Sequence, residues 1–251
     1  MIRIMKYGEV PASEIFARVV PEASVGDTVS AILADVRLRG DAALFAYGEQ
    51  FDGAKLTVLA VSEKELAAAM EKVEPDFLRV LRRAAENIRR FHEKQTRTGF
   101  ILSEEPGIVM GQRVLPLDRV GIYVPGGTAA YPSTVLMDAI PAKIAGCGEI
   151  VMTTPPRRDG SITPEILAAA QIAGVDRVFK LGGAQAIAAL AYGTESVPRV
   201  DKIVGPGNAF VAEAKRQVYG RTAIDMIAGP SEILIVADGK SDARCLAADL
   251  L

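Results

Sequence analysis

Residues 205–208, Gly-Pro-Gly-Asn, stand between the short apolar run VDKIVG and the amphipathic pattern AFVAEAKRQV. Two other segments share that design: YVPGGTAAYPS follows the run VGIYV, and LGGAQAIA follows DRVFK. Glycine lets a ligand approach the backbone, and the free N–H groups and positive dipole end of a following helix favour phosphate. A row of such corners suits a dinucleotide. None of them matches G-x-G-x-x-G with an acidic residue about 20 positions later. Each corner therefore keeps a second reading, in which glycine serves only the tight turn. For Asn208 that second reading is a helix cap, a position where asparagine is among the best residues.

Other chemistry is sparsely supplied. The only histidine is His92, so the chain cannot build a multi-histidine zinc site, and any Ser/His/Asp triad would have to use His92 as its base. Ser231, in AGPSE, has no histidine near it in sequence and no nucleophile-elbow context. It also precedes its apolar run, EILIVAD, so it marks either a plain turn or a crossing between domains. Cys147, in AGCGEI, could act as an aldehyde-oxidising thiol, but its helix-to-strand junction fits a small packing residue better. Cys147 and Cys245 match no metal spacing and read as free thiols.

The elements that must position these residues fall into two textures. Up to about residue 118 the pattern is mainly helical. Ser24 is a candidate cap for SVGDTVSAILADVRLRG, Gly40 its stop, and Asp41 a candidate cap for AALFAYGEQF. After the β-like run LTVLAV, Ser62 and Glu65 form a capping-box pattern, and a long helix begins after Pro75. Phe77, Leu78, Leu81, Ala85, Ile88 and Phe91 share one face of that helix; the opposite face mixes arginine with glutamate and reads as solvated.

From residue 119 apolar runs alternate with helical patterns, which argues for a parallel sheet with right-handed crossovers. Pro141 inside STVLMDAIPAKIAG predicts a kink or a break, PPRRDGSITP a surface loop, and EILIVAD a fifth strand leading to a helix capped by Ser241. The fold class is α/β: a Rossmann-like parallel sheet with helices on both faces, preceded by an N-terminal helical region.

The 251 residues allow one large domain or two modest ones, with 49% hydrophobic and 24% charged residues, the composition of a globular protein. A formal net charge of −2 gives no electrostatic reason to expect nucleic acid or an anionic membrane. No apolar run approaches ~18 residues and no leader-like segment opens the chain, so a cytoplasmic location is expected.

The segments GIYVPGG, PSTVLMDAIPAKIAGC, LGGAQAIAALAYGTESVP, VDKIVGPGNAFVAEAKRQVYG and IDMIAGPSEILIVAD together resemble the histidinol dehydrogenase family, from about residue 25 to the end of the chain. The resemblance implies a homodimeric, zinc-dependent enzyme that oxidises L-histidinol through L-histidinaldehyde to L-histidine with NAD. Carried over by motif, it places NAD on Tyr123, Gln185 and Asn208 and substrate on Ser231. It divides the chain into a first part of domain 1 (1–118), an inserted Rossmann-like NAD-binding domain (119–230) and a return into domain 1 (231–251). The zinc ligands and the Glu-His pair for acid-base work are expected beyond Leu251. The chain is therefore expected to be an N-terminal fragment, inactive alone and exposing apolar surface. The competing expectation is a stand-alone, non-catalytic nucleotide-binding module.

Overall fold

The computed structural model describes residues 5, 8–15, 25–126, 130–227 and 233–250. The helical part forms α1 (Ala12–Ile15), α2 (Gly26–Arg39), α3 (Asp41–Tyr47), α4 (Glu63–Lys72) and α5 (Pro75–His92). A short antiparallel hairpin, β1 (Phe100–Leu102) with β2 (Met110–Gln112), follows. Then come β3 (Arg119–Tyr123), α6 (Pro132–Ile144), β4 (Glu149–Thr154), α7 (Pro164–Ala173) and β5 (Arg177–Lys180). The chain continues through α8 (Gly183–Tyr192), β6 (Lys202–Val204), α9 (Ala209–Val218), the two-residue β7 (Ala223–Ile224) and α10 (Ala243–Leu250).

Strands β3 to β7 make one parallel sheet in the order β5-β4-β3-β6-β7. Ile150, Val151 and Met152 of β4 are all 0% exposed, because helices cover both faces and leave no polar side for alternation. Each such aliphatic side chain contributes about 1.5–3 kcal/mol by burial. One face packs Val135, Ile140, Ile166 and Leu167 of α6 and α7 with Ala69, Leu81 and Ala85 of α4 and α5. The other packs Ile187, Leu190, Val211 and Val218 of α8 and α9 with Val29, Ile32, Val36 and Leu44 of α2 and α3. The N-terminal helices thus divide between the two faces of the sheet. This is the expected α/β fold with helices on both sides.

Local signals set several boundaries. Gly40 stops α2 at φ +56°, its N–H donating to Val36 O. Ser62 and Glu65 complete both bonds of the capping box, at 3.3 and 2.8 Å. LTVLAV lies along the outer edge of β5: Val61 N–H donates to Val178 O and Lys180 N–H to Leu59 O, both at 2.8 Å. That pairing occupies polar groups an edge strand would otherwise expose.

Other boundaries differ from the expectation. Asp41 is the first residue of α3, not its cap; Gly40 holds the cap position, and Glu195 Oε2 accepts from Asp41 N–H at 2.7 Å. The Asp41 carboxylate instead accepts from Thr194 Oγ1 at 2.6 Å and from Ser196 N–H at 3.3 Å. A distant loop caps this helix, which local sequence cannot announce. Asp242 rather than Ser241 caps α10, accepting from Arg244 N–H at 2.9 Å. Ser24 lies outside the described residues, and α6 runs through Pro141 to Ile144 without a break. The apolar stripe of α5 is buried at Leu78, Leu81 and Ala85, while Phe77 and Phe91 at its margins are exposed.

The largest difference is EILIVAD. Described residues 233–238 join no strand, and Leu234 and Val236 are 87% and 89% exposed; β7 takes the fifth place in the sheet. An apolar run specifies a surface to be covered but not the partner that covers it. The β1–β2 hairpin, unforeseen within the helical texture, is equally open, with Phe100, Ile101, Leu102 and Met110 exposed. Among the described residues no helix is long and apolar enough to cross a membrane.

Candidate functional site

The chain lays down β3, β4 and β5 toward one edge, then returns to add β6 and β7 on the other side of β3. That reversal opens a crevice at the carboxyl ends of β3 and β6, the place where open α/β sheets bind ligands. A cavity of about 840 Å³ lies there, within the ~300–1,000 Å³ usual for small-molecule sites. Tyr123 from the end of β3, Gln185 from the first turn of α8 and Asn208 at the start of α9 all line it. Ser231 lies outside the described residues.

Each of the three is held by its own local logic. Tyr123 is buried, and its phenol oxygen accepts from Gly183 N–H at 3.2 Å. Burial pushes its ionisation above the ordinary phenol range, so it stays a neutral hydroxyl with a proton to donate. Gln185 is 2% exposed and folds back toward Gly183, whose φ of +64° favours glycine. Asn208 caps α9, its Oδ1 accepting from Val211 N–H at 3.1 Å, which leaves the amide N–H donors uncommitted among the described residues. Capping and ligand contact are therefore compatible in one side chain.

The corners are tightly packed. A side chain on Gly207 would meet Val211 Cγ1 at 2.3 Å, and one on Gly205 (φ +108°) would meet the Tyr123 carbonyl oxygen at 2.1 Å. Gly126 and Gly182, after β3 and β5, both abut Pro155, after β4; an added Cβ would lie 2.8 and 2.6 Å from its ring.

Below the 205–208 corner sits a buried polar cluster. Lys215, 1% exposed, donates to Gly205 O at 2.9 Å and to Asp225 Oδ1, while Gly205 N–H donates to Asp225 Oδ2 at 2.9 Å. Asp138 on α6 stands beside them with its Oδ2 enclosed and accepting no hydrogen bond. Burial and then the Asp225 charge raise its carboxyl to about 7, against the pull of Lys215. An acid raised in the folded state binds its proton there while the unfolded chain has lost it, so stability falls as pH rises from about 4 to 7. Asp138→Asn removes that loss. Its melting temperature is expected to exceed the parent's at pH 8, with the gap narrowing steadily toward pH 4; a gap independent of pH would refute this assignment.

Several cavity residues escaped the sequence reading. Thr28 and Ile32 come from α2, Phe51 and Asp52 from a π-helical turn (Gly48–Asp52) after α3, and Arg157 and Arg158 from the loop read as plain surface. The arginines follow β4, so the carboxyl-end rule applied to every strand would have found them. Nothing local marks the π-helical turn, which recurs at functional sites in other proteins. Asp52 is the acid of the cavity; burial raises its carboxyl to about 6, and its Oδ2 is enclosed without a hydrogen bond. His92 is elsewhere, bonded through Nδ1 to Gln95 Oε1 at 2.6 Å beside a separate groove that Cys147 also lines. Among the described residues no group of three or more His, Cys, Asp or Glu side chains could hold a metal ion.

Fold and cavity together define a doubly wound α/β protein with a candidate ligand cavity framed by strand-to-helix corners. The histidinol dehydrogenase family model matches residues 18–251. Histidinol dehydrogenase of Clostridium acetobutylicum is 51% identical over all of this chain and 59% of its own length. That of Lactiplantibacillus plantarum is 58% identical over 90% of this chain and 53% of its own length. The crystal structure of histidinol dehydrogenase from Elizabethkingia anophelis superposes with a TM-score of 0.89 at 39% identity, covering 96% of this chain and 57% of that one. The chain belongs to the histidinol dehydrogenase family, a family of oxidoreductases. It spans between half and three-fifths of the length of these relatives.

Proposed function

We propose that this chain supplies the NAD-binding part of a cytoplasmic, homodimeric histidinol dehydrogenase, the whole of which oxidises L-histidinol through L-histidinaldehyde to L-histidine. The supporting observation is the convergence of Tyr123, Gln185 and Asn208 on one cavity at the reversal of the sheet. NAD, when bound, accepts the hydride. The chain's own residues orient it: the Asn208 amide donates to it, the Tyr123 hydroxyl and Gln185 amide offer further bonds, and the first turns of α8 and α9 favour its phosphates. Arg157 and Arg158 add positive charge at the cavity.

Zinc does not fit the described residues, which offer no ligand cluster, and the proposal assigns its ligands to the part of the relatives that this chain does not span. The proposal assigns the base that would take the hydroxyl proton to that same part of the relatives; His92 lines a different groove. Substrate contact through Ser231 and the division of domains at 118 and 230 remain parts of the proposal. The 251-residue chain is thus proposed to bind NADH without turning over histidinol.

Titration with NADH, followed by calorimetry, tests this directly. Asn208→Ala is expected to weaken binding roughly tenfold, one good hydrogen-bonded contact, and to cost about 0.5–2 kcal/mol of stability through the lost cap. Unchanged affinity in the variant would remove Asn208 from the site. Chelator-sensitive NADH formation from L-histidinol, NAD and zinc would show that the chain has a metal site and a base, and would overturn the proposal.

A further inference from the structure

Asp52 is the cavity residue with no assigned partner. It lies at the end of the π-helical turn Gly48–Asp52, where Gly53 at φ +67° reverses the chain, and its side chain lines the same cavity as Tyr123, Gln185 and Asn208. Its Oδ2 accepts no hydrogen bond, and no cation pairs with it among the described residues, although Arg157 and Arg158 line the same cavity. A buried acceptor left unsatisfied costs about 1–3 kcal/mol. Most such groups in folded proteins have partners, so an orphan in a ligand cavity points to a donor on the ligand. The broad χ2 torsion of aspartate lets the carboxylate turn toward it.

The donors a dinucleotide can offer an acid are its ribose hydroxyls, the adenine amino group and the nicotinamide carboxamide; its phosphates would be repelled. Dinucleotide sites commonly place an acid on the adenosine ribose 2′-hydroxyl, where it rejects a 2′-phosphate. In those sites the acid lies about 20 residues after the glycine loop. Asp201 and Asp225 stand about that far after Gly182 and Gly205, but Asp201 accepts from Arg119 N–H and Asp225 from Gly205 N–H and Lys215, and neither lines the cavity. Asp52 comes from an N-terminal element, before the first strand of the parallel sheet.

Resting on the NAD reading above, we infer that Asp52 is the ribose-binding acid of this cavity and selects NAD over its 2′-phosphorylated form. The selection has two parts. The carboxylate accepts from the 2′-hydroxyl, and its charge and enclosure exclude a phosphate at the same place, a repulsive element as well as an attractive one.

The experiment compares NADH and NADPH binding to the intact chain, Asp52→Asn and Asp52→Ser by calorimetry, with thermal melts to confirm folding. The parent is expected to prefer NADH by about tenfold or more, and both variants to bring the ratio below about threefold, mainly by weakening NADH and admitting NADPH. Asparagine keeps the shape and loses the charge; serine removes both, so agreement between the two excludes a packing artefact. A parent that binds NADPH as tightly as NADH, through Arg157 and Arg158, overturns the inference. So does a preference that survives in both variants while NADH binding stays intact, and either result leaves the NAD reading standing. A parent that binds neither nucleotide overturns the NAD reading and this inference together.

Discussion

Gly205→Ala is expected to destabilise the chain by about 2–6 kcal/mol, the sum of two effects. The residue sits at φ +108°, where a side chain is strained, at a cost of about 1–3 kcal/mol. Its added methyl would also lie 2.1 Å from the Tyr123 carbonyl oxygen, and a backbone atom cannot give way as a flexible side chain does, for a further ~1–3 kcal/mol. Gly220 separates the two effects. It has a similar φ of +94° but nothing within 4 Å of the added atom, so Gly220→Ala should show strain alone. Urea unfolding of both variants is the measurement; equal losses would mean that the contact with Tyr123 does not matter.

Lys215→Met is expected to cost about 3–5 kcal/mol, the penalty for breaking a buried pair by removing one partner. The ammonium group is 2% exposed and holds both Asp225 and the Gly205 carbonyl. Its loss leaves Asp225 and Asp138 facing each other without a cation. Adding Asp225→Asn should therefore recover much of the loss, because a neutral amide tolerates the site that a bare carboxylate does not. A double variant as unstable as the sum of the single ones would show that the pair contributes only packing. The two substitutions act on opposite sides of one corner, and both should weaken NADH binding by misplacing Asn208.

The parts of this fold legible in sequence were those decided locally. VGIYV, EIVMTT and VDKIVG carry short apolar stretches bounded by turn residues, as a strand buried on both faces requires, and they became β3, β4 and β6. Asn208 and the Ser62–Glu65 pair were legible because a cap bonds within three residues of itself. What stayed hidden was decided at long range. Lys215 falls in an amphipathic pattern, where lysine ordinarily meets water; it is buried because Asp225 and Gly205 O receive it. Asp52 and Phe51 join the cavity through a turn whose extra residue has no sequence signature. EILIVAD has a strand's composition, yet among the described residues no neighbour pairs with it.

Pro155, wedged between Gly126 and Gly182, makes the loops after three adjacent strands a single inherited unit. A side chain at either glycine displaces the proline, and a displaced proline presses on the opposite loop. Variation in these corners must therefore be epistatic: a change tolerated in one sequence background will be rejected in another that lacks the matching change. Grafting one loop from a distant relative should fail where moving all three together succeeds, so diversification of this cavity has to come from lining residues outside those loops, such as Thr28 and Phe51.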